Sequence, residues 1–210
     1  MILHGYWRSG ASYRVRIALN LKGLGYETAA HDLRQNAQKA ADYLALNPQG
    51  MVPALQVGGR VLIQSPAILE WLEETHPEPA LLPGGADDRA IVRGMAALIG
   101  CDIHPLNNLR VLKSLRQEFG ADQGAVDAWA ARWIAPGFDA LSTLVERRGA
   151  GWSFGDRPGL VDCYLIPQMY SARRFNLDLD AWPTLRAVED RALAHPAFAA
   201  AHPDRQPDAD

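Results

Sequence analysis

The chain has 210 residues, 48% apolar and 21% charged, the balance of a globular protein with room for one large domain or two small ones. A net charge of -3 excludes a general nucleic-acid binder, which needs a basic face, and no apolar run reaches the length of a membrane span. The two cysteines, Cys101 and Cys163, form no CxxC pair and the six histidines have no metal-ligand spacing, so neither a dithiol redox motif nor a metal site is expected. Without a disulfide framework or a secretory signal, the expected compartment is the reducing cytoplasm.

Met1 to Tyr6 reads as a strand. After it comes Trp7-Arg8-Ser9-Gly10-Ala11-Ser12-Tyr13-Arg14-Val15-Arg16, which enters a helix marked by Val15, Ala18 and Leu19, with Ile17 and Leu21 alongside. A hydroxyl-bearing loop, Ser9 to Ser12, therefore stands between a strand and a helix N-terminus, where unpaired N–H groups and the helix dipole favour an anion. The competing reading is that Ser9 and Ser12 only cap the helix. Glu27 to Leu33 is predicted as a strand and Ala37 to Leu46 as a short helix stopped by Asn47-Pro48. Ala54 to Val57 and Val61 to Ile63 flank Gly58-Gly59, a hairpin signal, and Ser65 to Thr75 is a helix with Ile68, Leu69 and Leu72 on one face.

Residues 76–88 hold three prolines and two glycines and read as a linker between a domain over 1–82 and another over 88–210. Only helices are predicted beyond it. Ile91, Met95, Leu98 and Asp102 fall on one stripe, and Val126, Ala130, Trp133, Gly137, Leu141 and Leu144 on a second. Leu160, Tyr164 and Leu165 belong to a third, and Leu185, Val188 and Ala192 to a fourth. Prolines interrupt three patterns; Pro105 frees the carbonyl of Cys101 and Pro167 that of Cys163, and a kink is expected at each. The Pro- and Asp-rich tail from His202 is expected to be irregular.

An α/β domain of this order followed by an all-α domain resembles the cytosolic glutathione transferases, whose N-terminal domain is thioredoxin-like. Asn47-Pro48-Gln49-Gly50-Met51-Val52-Pro53-Ala54-Leu55 is similar to that family's segment before a cis-proline, here Pro53, and Gln64-Ser65-Pro66-Ala67-Ile68-Leu69-Glu70-Trp71-Leu72 to its γ-glutamyl-binding turn and helix. Cys101-Asp102-Ile103-His104-Pro105-Leu106-Asn107-Asn108-Leu109-Arg110, together with Arg8-Ser9 and Arg14-Val15-Arg16-Ile17-Ala18-Leu19, resembles the zeta class, whose members include maleylacetoacetate and maleylpyruvate isomerases. Many zeta enzymes carry Ser-Ser-Cys-Ser-Trp where this chain has Ser9-Gly10-Ala11-Ser12-Tyr13, so a role for that cysteine cannot operate here. The shorter loop is more similar to the bacterial maleylpyruvate isomerases of gentisate breakdown. In Gly159-Leu160-Val161-Asp162, glycine replaces the family's capping Ser or Thr, and Asp162 reads as structural.

The resemblance implies a cytoplasmic homodimer with glutathione as cofactor and a small dianionic keto acid as substrate. It implies Ser9 as the donor that keeps the thiol ionised, with Ser12 as second choice and Gly10 and Ala11 beside it. The backbone of Val52 would pair with the tripeptide, and Gln64 and Ser65 would hold its γ-glutamyl carboxylate. Gln38 would meet the glycine end, with Lys39 as alternative, against a competing reading of Gln38 as a solvated helix face. Asp102, His104, Asn108 and Arg110 would approach glutathione, with His104 alternatively a core histidine. The substrate's carboxylates need cations, for which Arg8, Arg110 and Arg174 are the candidates and Arg173 reads as surface. The alternatives are a transferase conjugating electrophiles such as α-halo acids, and a glutathione-binding protein without turnover.

Overall fold

The computed structural model describes residues 1–210. The chain forms two compact units, and the division differs from the sequence expectation at the C-terminus. One unit comprises Met1–Leu81 together with Leu193–Asp210; the other is Leu82–Ala192.

The first unit is built on a four-stranded sheet of order β2-β1-β3-β4, with strands Ile2–Gly5 (β1), Glu27–Ala30 (β2), Ala54–Val57 (β3) and Arg60–Ile63 (β4). β1 runs parallel to β2 and antiparallel to β3, which pairs antiparallel with β4 across Gly58-Gly59. Both glycines have positive φ, the geometry a two-residue hairpin turn requires. β2 stops three residues before the predicted Leu33, because Asp32 Oδ1 accepts the Arg34 N–H at 2.8 Å and turns the chain. The predicted helix over 37–46 splits into a 3-10 turn, Ala37–Lys39, and helix Ala41–Leu46 (α2), since Ala40 adopts an extended conformation between them.

Helix Gly10–Leu21 (α1) is buried along Ser12–Leu19, including Arg14 and Arg16. Arg16 is satisfied by backbone carbonyls: its Nε donates to Ala201 O at 3.0 Å and its Nη2 to Trp7 O at 2.9 Å. Helix Ser65–Thr75 (α3) buries Ile68, Leu69 and Leu72 as its periodicity predicts. The start of the linker is pinned by a buried ion pair. Lys22 Nζ donates to Glu73 Oε2 at 2.9 Å and to the carbonyls of His76 and Pro79, while Glu73 Oε2 accepts the Leu81 N–H. The C-terminal segment supplies helix Pro196–Ala201 and a 3-10 turn, Pro203–Arg205, so the tail is more ordered than its composition suggested. Asp208 Oδ2 accepts the Trp7 N–H at 2.9 Å, and Ala209 packs on the cluster of Tyr6, Trp7, Tyr43, Val52 and Ala54.

The second unit is helical: Ala86–Ala97 (α4), Leu109–Phe119 (α5), Gln123–Arg148 (α6), Leu160–Arg174 (α7) and Pro183–Ala194 (α8), whose last turn crosses the division. Pro105 has the largest effect of the three helical prolines. The helix loosens to π geometry over Leu98–Ile103 and tightens to 3-10 over His104–Asn107, whereas α6 and α7 continue through Pro136 and Pro167. Along α6 the buried stripe is Val126, Ala130, Ile134, Phe138, Leu141 and Val145. Trp133 is therefore exposed and Gly137 partly buried, one position off the predicted face. Gly137 has its own reason: a Cβ there would overlap Ile103 of the π segment.

Candidate active site

The loop after β1 ends in Ser9, whose extended backbone makes it the N-cap of α1. Its Oγ accepts the Ser12 N–H at 3.2 Å. Capping uses only a lone pair, so the hydroxyl proton remains available to donate, and the two readings of Ser9 are compatible. Ser12 contributes its backbone. Its own hydroxyl is fully buried without a partner, against Gly5 of β1. Gly10 and Ala11 form the partly buried first turn. Arg8 is partly buried, with its guanidinium 5.1 Å from the Trp7 ring centroid and no ion pair.

The Val52–Pro53 peptide bond is cis. Tyr43 Oη and Asn47 Nδ2 both donate to Met51 O at 2.7 Å, fixing the loop that leads into Val52. The backbone N–H and carbonyl of Val52 make no hydrogen bond within the chain. Tyr43 packs its ring 4.2 Å from that of His31, which hydrogen-bonds His4. Burial, then the neighbouring His4, push the His31 pKa below its ordinary value. Gln38, read alternatively as a solvated side chain, is buried, and its Oε1 has no partner. Lys39 is exposed and its Nζ donates to Gln49 O at 3.3 Å.

Gln64 stands before α3 with φ of 69°, a left-handed backbone that a non-glycine residue keeps only where its surroundings impose it. Its Nε2 donates to Gln49 Oε1 at 2.7 Å. Ser65 is buried at the first position of α3 and accepts a hydrogen bond from Arg14 Nη1 at 3.4 Å. Sequence reasoning used Arg14 only as part of a motif. The available signal was a charge inside a helical stretch otherwise bound for the core. The contacts of Gln49 with Gln64 and of Asp208 with Trp7 likewise join residues remote in sequence.

In the helical unit, Asp102 is exposed on the π segment and His104 is partly buried at the start of the 3-10 turn. Asn108 caps α5, its Oδ1 accepting the Arg110 N–H at 3.2 Å, and Arg110 is exposed without an ion pair. Arg174 is exposed in the last turn of α7. Its neighbour Arg173 forks onto Glu189 instead, a structural pairing. Asp162 is the capping residue the sequence suggested: its carboxylate accepts the Gly159 N–H at 2.8 Å and the Ser153 N–H at 3.0 Å. Complete burial pushes its pKa up to about 6 against those hydrogen bonds. No group of three His, Cys, Asp or Glu side chains is placed to hold a metal, and no helix is long and apolar enough to cross a membrane.

A thioredoxin-like mixed sheet with a cis-proline before its third strand, a capped serine loop and a helical second unit defines the glutathione-transferase fold. The family described as glutathione S-transferase, N-terminal domain, matches residues 8–75. A maleylpyruvate isomerase of a Ralstonia species is 54% identical over 99% of both chains. A maleylacetoacetate isomerase of Pseudomonas aeruginosa is 55% identical over 99% of this chain and 98% of its own. The holo structure of a maleylpyruvate isomerase described as a bacterial zeta-class glutathione transferase superposes with a TM-score of 0.98 at 53% identity, covering 100% of both chains. A maleylacetoacetate isomerase of Anaeromyxobacter dehalogenans with bound glutathione superposes with a TM-score of 0.90 at 49% identity, covering 100% of this chain and 97% of its own. The chain belongs to the glutathione S-transferase family and, within it, to the zeta class of maleylpyruvate and maleylacetoacetate isomerases.

Proposed function

We propose that this protein is a glutathione-dependent cis–trans isomerase that converts a maleyl-keto acid, maleylpyruvate or maleylacetoacetate, to its fumaryl isomer in the breakdown of aromatic compounds. The observation that carries this reading is Ser9, whose Oγ is held by the Ser12 N–H with its proton left to donate. The residues suit a short peptide: Val52 offers an unused N–H and carbonyl, and the buried Gln38 Oε1 is an unpartnered acceptor for a peptide N–H. Bound glutathione supplies a thiol that, once ionised, adds reversibly to a conjugated C=C bond and lets it rotate.

The chain's own groups do the rest. A free thiol ionises near pH ~8.5, so the Ser9 hydroxyl and the N–H groups of Gly10 and Ala11 at the start of α1 stabilise the anion. Ala11 leaves this loop without a protein thiol. Val52, set by Pro53, pairs with the peptide like an added strand. Gln64 and Ser65 hold the γ-glutamyl carboxylate at the start of α3, and Gln38 and Lys39 serve the glycine end. Asp102, His104 and Asn108 are assigned to glutathione by resemblance, as is Arg110, and Arg8, Arg110 and Arg174 to the acid's carboxylates. The homodimer and the cytoplasmic location belong to the same reading; the two unbridged cysteines suit a reducing compartment.

The test separates the acid from the thiol. Arg8→Ala, Arg110→Ala and Arg174→Ala should each leave conjugation of glutathione to a neutral electrophile largely intact. Each should cost isomerisation about 2–5 kcal/mol, the effect of deleting one partner of a desolvated charge pair. Full isomerase activity in all three variants removes the dianionic-substrate reading and favours a general transferase.

A further inference from the structure

Between β1 and α1 the chain turns over Tyr6 to Ser9, closed by the Ser9 N–H donating to Tyr6 O at 3.0 Å. The N–H and carbonyl of Trp7 take no part in that closure and need partners from elsewhere. Both partners are charged side chains. Asp208 Oδ2 accepts the Trp7 N–H at 2.9 Å, and Arg16 Nη2 donates to Trp7 O at 2.9 Å. Two successive peptide planes just ahead of Ser9 are thus held by ionised groups, whose hydrogen bonds are stronger than those between neutral partners. Trp7 is buried, so losing the acceptor would leave its N–H costly to keep in place.

Asp208 is committed to this contact. Its Oδ1 is buried and makes no hydrogen bond within the chain. The stretch that carries it is tied down on both sides. Gln206 Nε2 donates to Ala200 O at 3.0 Å and to His202 O at 2.8 Å, the Ala209 N–H donates to Gln206 O at 3.0 Å, and Asp210 pairs with Arg34. The carboxylate is therefore presented from a closed turn. The next residue, Ala209, packs on the cluster that holds Tyr6, Trp7 and Val52. One short stretch touches both the turn before Ser9 and the residue before Pro53.

We propose that Asp208 is a positioning residue for the thiol donor: by holding the Trp7 N–H it fixes the Tyr6–Ser9 turn, and so the place of the Ser9 hydroxyl relative to the thiol of glutathione bound along Val52. The inference rests on the reading of Ser9 as that donor. Asp208 acts on the thiol only through the backbone and has no contact with the ligand to lose. Its removal lowers ionisation of the thiol and turnover without a matching loss of glutathione binding, because a small displacement of a donor costs rate more than affinity.

The experiment titrates the ultraviolet absorbance of the thiolate of bound glutathione in the full-length protein, beside steady-state kinetics. In Asp208→Ala the thiolate fraction at neutral pH and kcat should each fall ~10-fold, with KM for glutathione within about twofold of wild type. Asp208→Asn keeps an oxygen for the Trp7 N–H and should recover most of both losses. If the alanine variant does not fold, Asp208→Ser, whose hydroxyl is too short to reach Trp7, carries the same expectation. Ser9→Ala should lower the thiolate fraction at least as far, and adding Asp208→Ala to it should lower it no further, since both changes remove one and the same donor. A normal thiolate fraction without Asp208, a KM that rises in step with the fall in kcat, an asparagine variant as impaired as the alanine one, or additive losses in the double variant each overturn the proposal. A normal thiolate fraction in Ser9→Ala overturns the reading of Ser9 itself, and the role of Asp208 with it.

Discussion

At the scale of single residues, the proposed site turns on which hydroxyl protons are left to donate. Ser9 is the clearest case, because one oxygen has two purposes in the proposed mechanism: it accepts the Ser12 N–H, and its proton is left to donate to the thiol. The two purposes separate experimentally. Ser9→Ala should lower turnover by roughly 10²-fold, the usual effect of losing one donor to a developing charge. It should also cost about 1 kcal/mol of stability through the missing cap. Ser9→Gly retains most of the capping preference, so its thermal midpoint should stay within a degree or two of wild type while turnover falls as in the alanine variant. Parallel steady-state kinetics and thermal melts check this; a glycine variant with normal turnover would assign thiol activation to the backbone N–H groups instead. Ser12, fully buried against Gly5, does not face this trade.

At the scale of elements, local signals in the sequence were sufficient where an element is set by its own residues. α3 begins and ends where its apolar face and Ser65 indicate, and Gly58-Gly59 marks the hairpin. The capped Ser9 loop, the cis bond at Pro53 and the helix start at Ser65 are contiguous motifs and were legible for that reason. Elements shaped by distant partners were not. β2 stops early because Asp32 captures a nearby N–H, and the middle of the α6 stripe moves by one residue, from Trp133 and Gly137 to Ile134 and Phe138, with Gly137 admitting Ile103. The contact of Arg14 with Ser65 was not legible because the two residues are 51 positions apart. The same holds for Lys22 at the end of α1, whose partners Glu73 and the carbonyls of His76 and Pro79 lie 51, 54 and 57 positions away. Its side chain is fully buried, so Lys22→Met should destabilise the protein by about 3–5 kcal/mol by leaving a buried carboxylate without its cation. Chemical denaturation measures this, and Lys22→Met/Glu73→Leu should recover much of the loss if the uncompensated charge is its source. A double variant no more stable than the single one would point to the lost carbonyl contacts.

At the scale of the molecule, the sheet unit is assembled from two separated stretches, Met1–Leu81 and Leu193–Asp210. The second stretch provides the carbonyls of Ala201 and Ala197 for Arg16 and Asn20, and the carboxylate of Asp208 for the Trp7 N–H. A fragment of residues 1–81 would hold the buried Arg16 without one of its acceptors, and leaving a buried charged donor unmet is expensive. Such a fragment should show no cooperative thermal transition, and adding a peptide of residues 193–210 should restore one. Fragment 82–192, contiguous in sequence, should melt cooperatively on its own. Calorimetry of the three samples decides it, and a sharp transition in 1–81 alone would show that the last stretch is dispensable.

That division also orders events during synthesis. The thiol loop leaves the ribosome well before the carboxylate that ties down Trp7, which lies 201 positions later in the chain. At about 5–20 residues per second, the helical unit has its complete sequence while the sheet unit still waits for its final segment. Ser9 is thus made well before the residue that anchors its loop. A chain cut short between Ala192 and Asp208 carries every residue of the thiol loop but not the contact that closes it, so the anchoring of the loop reports that synthesis has passed Asp208.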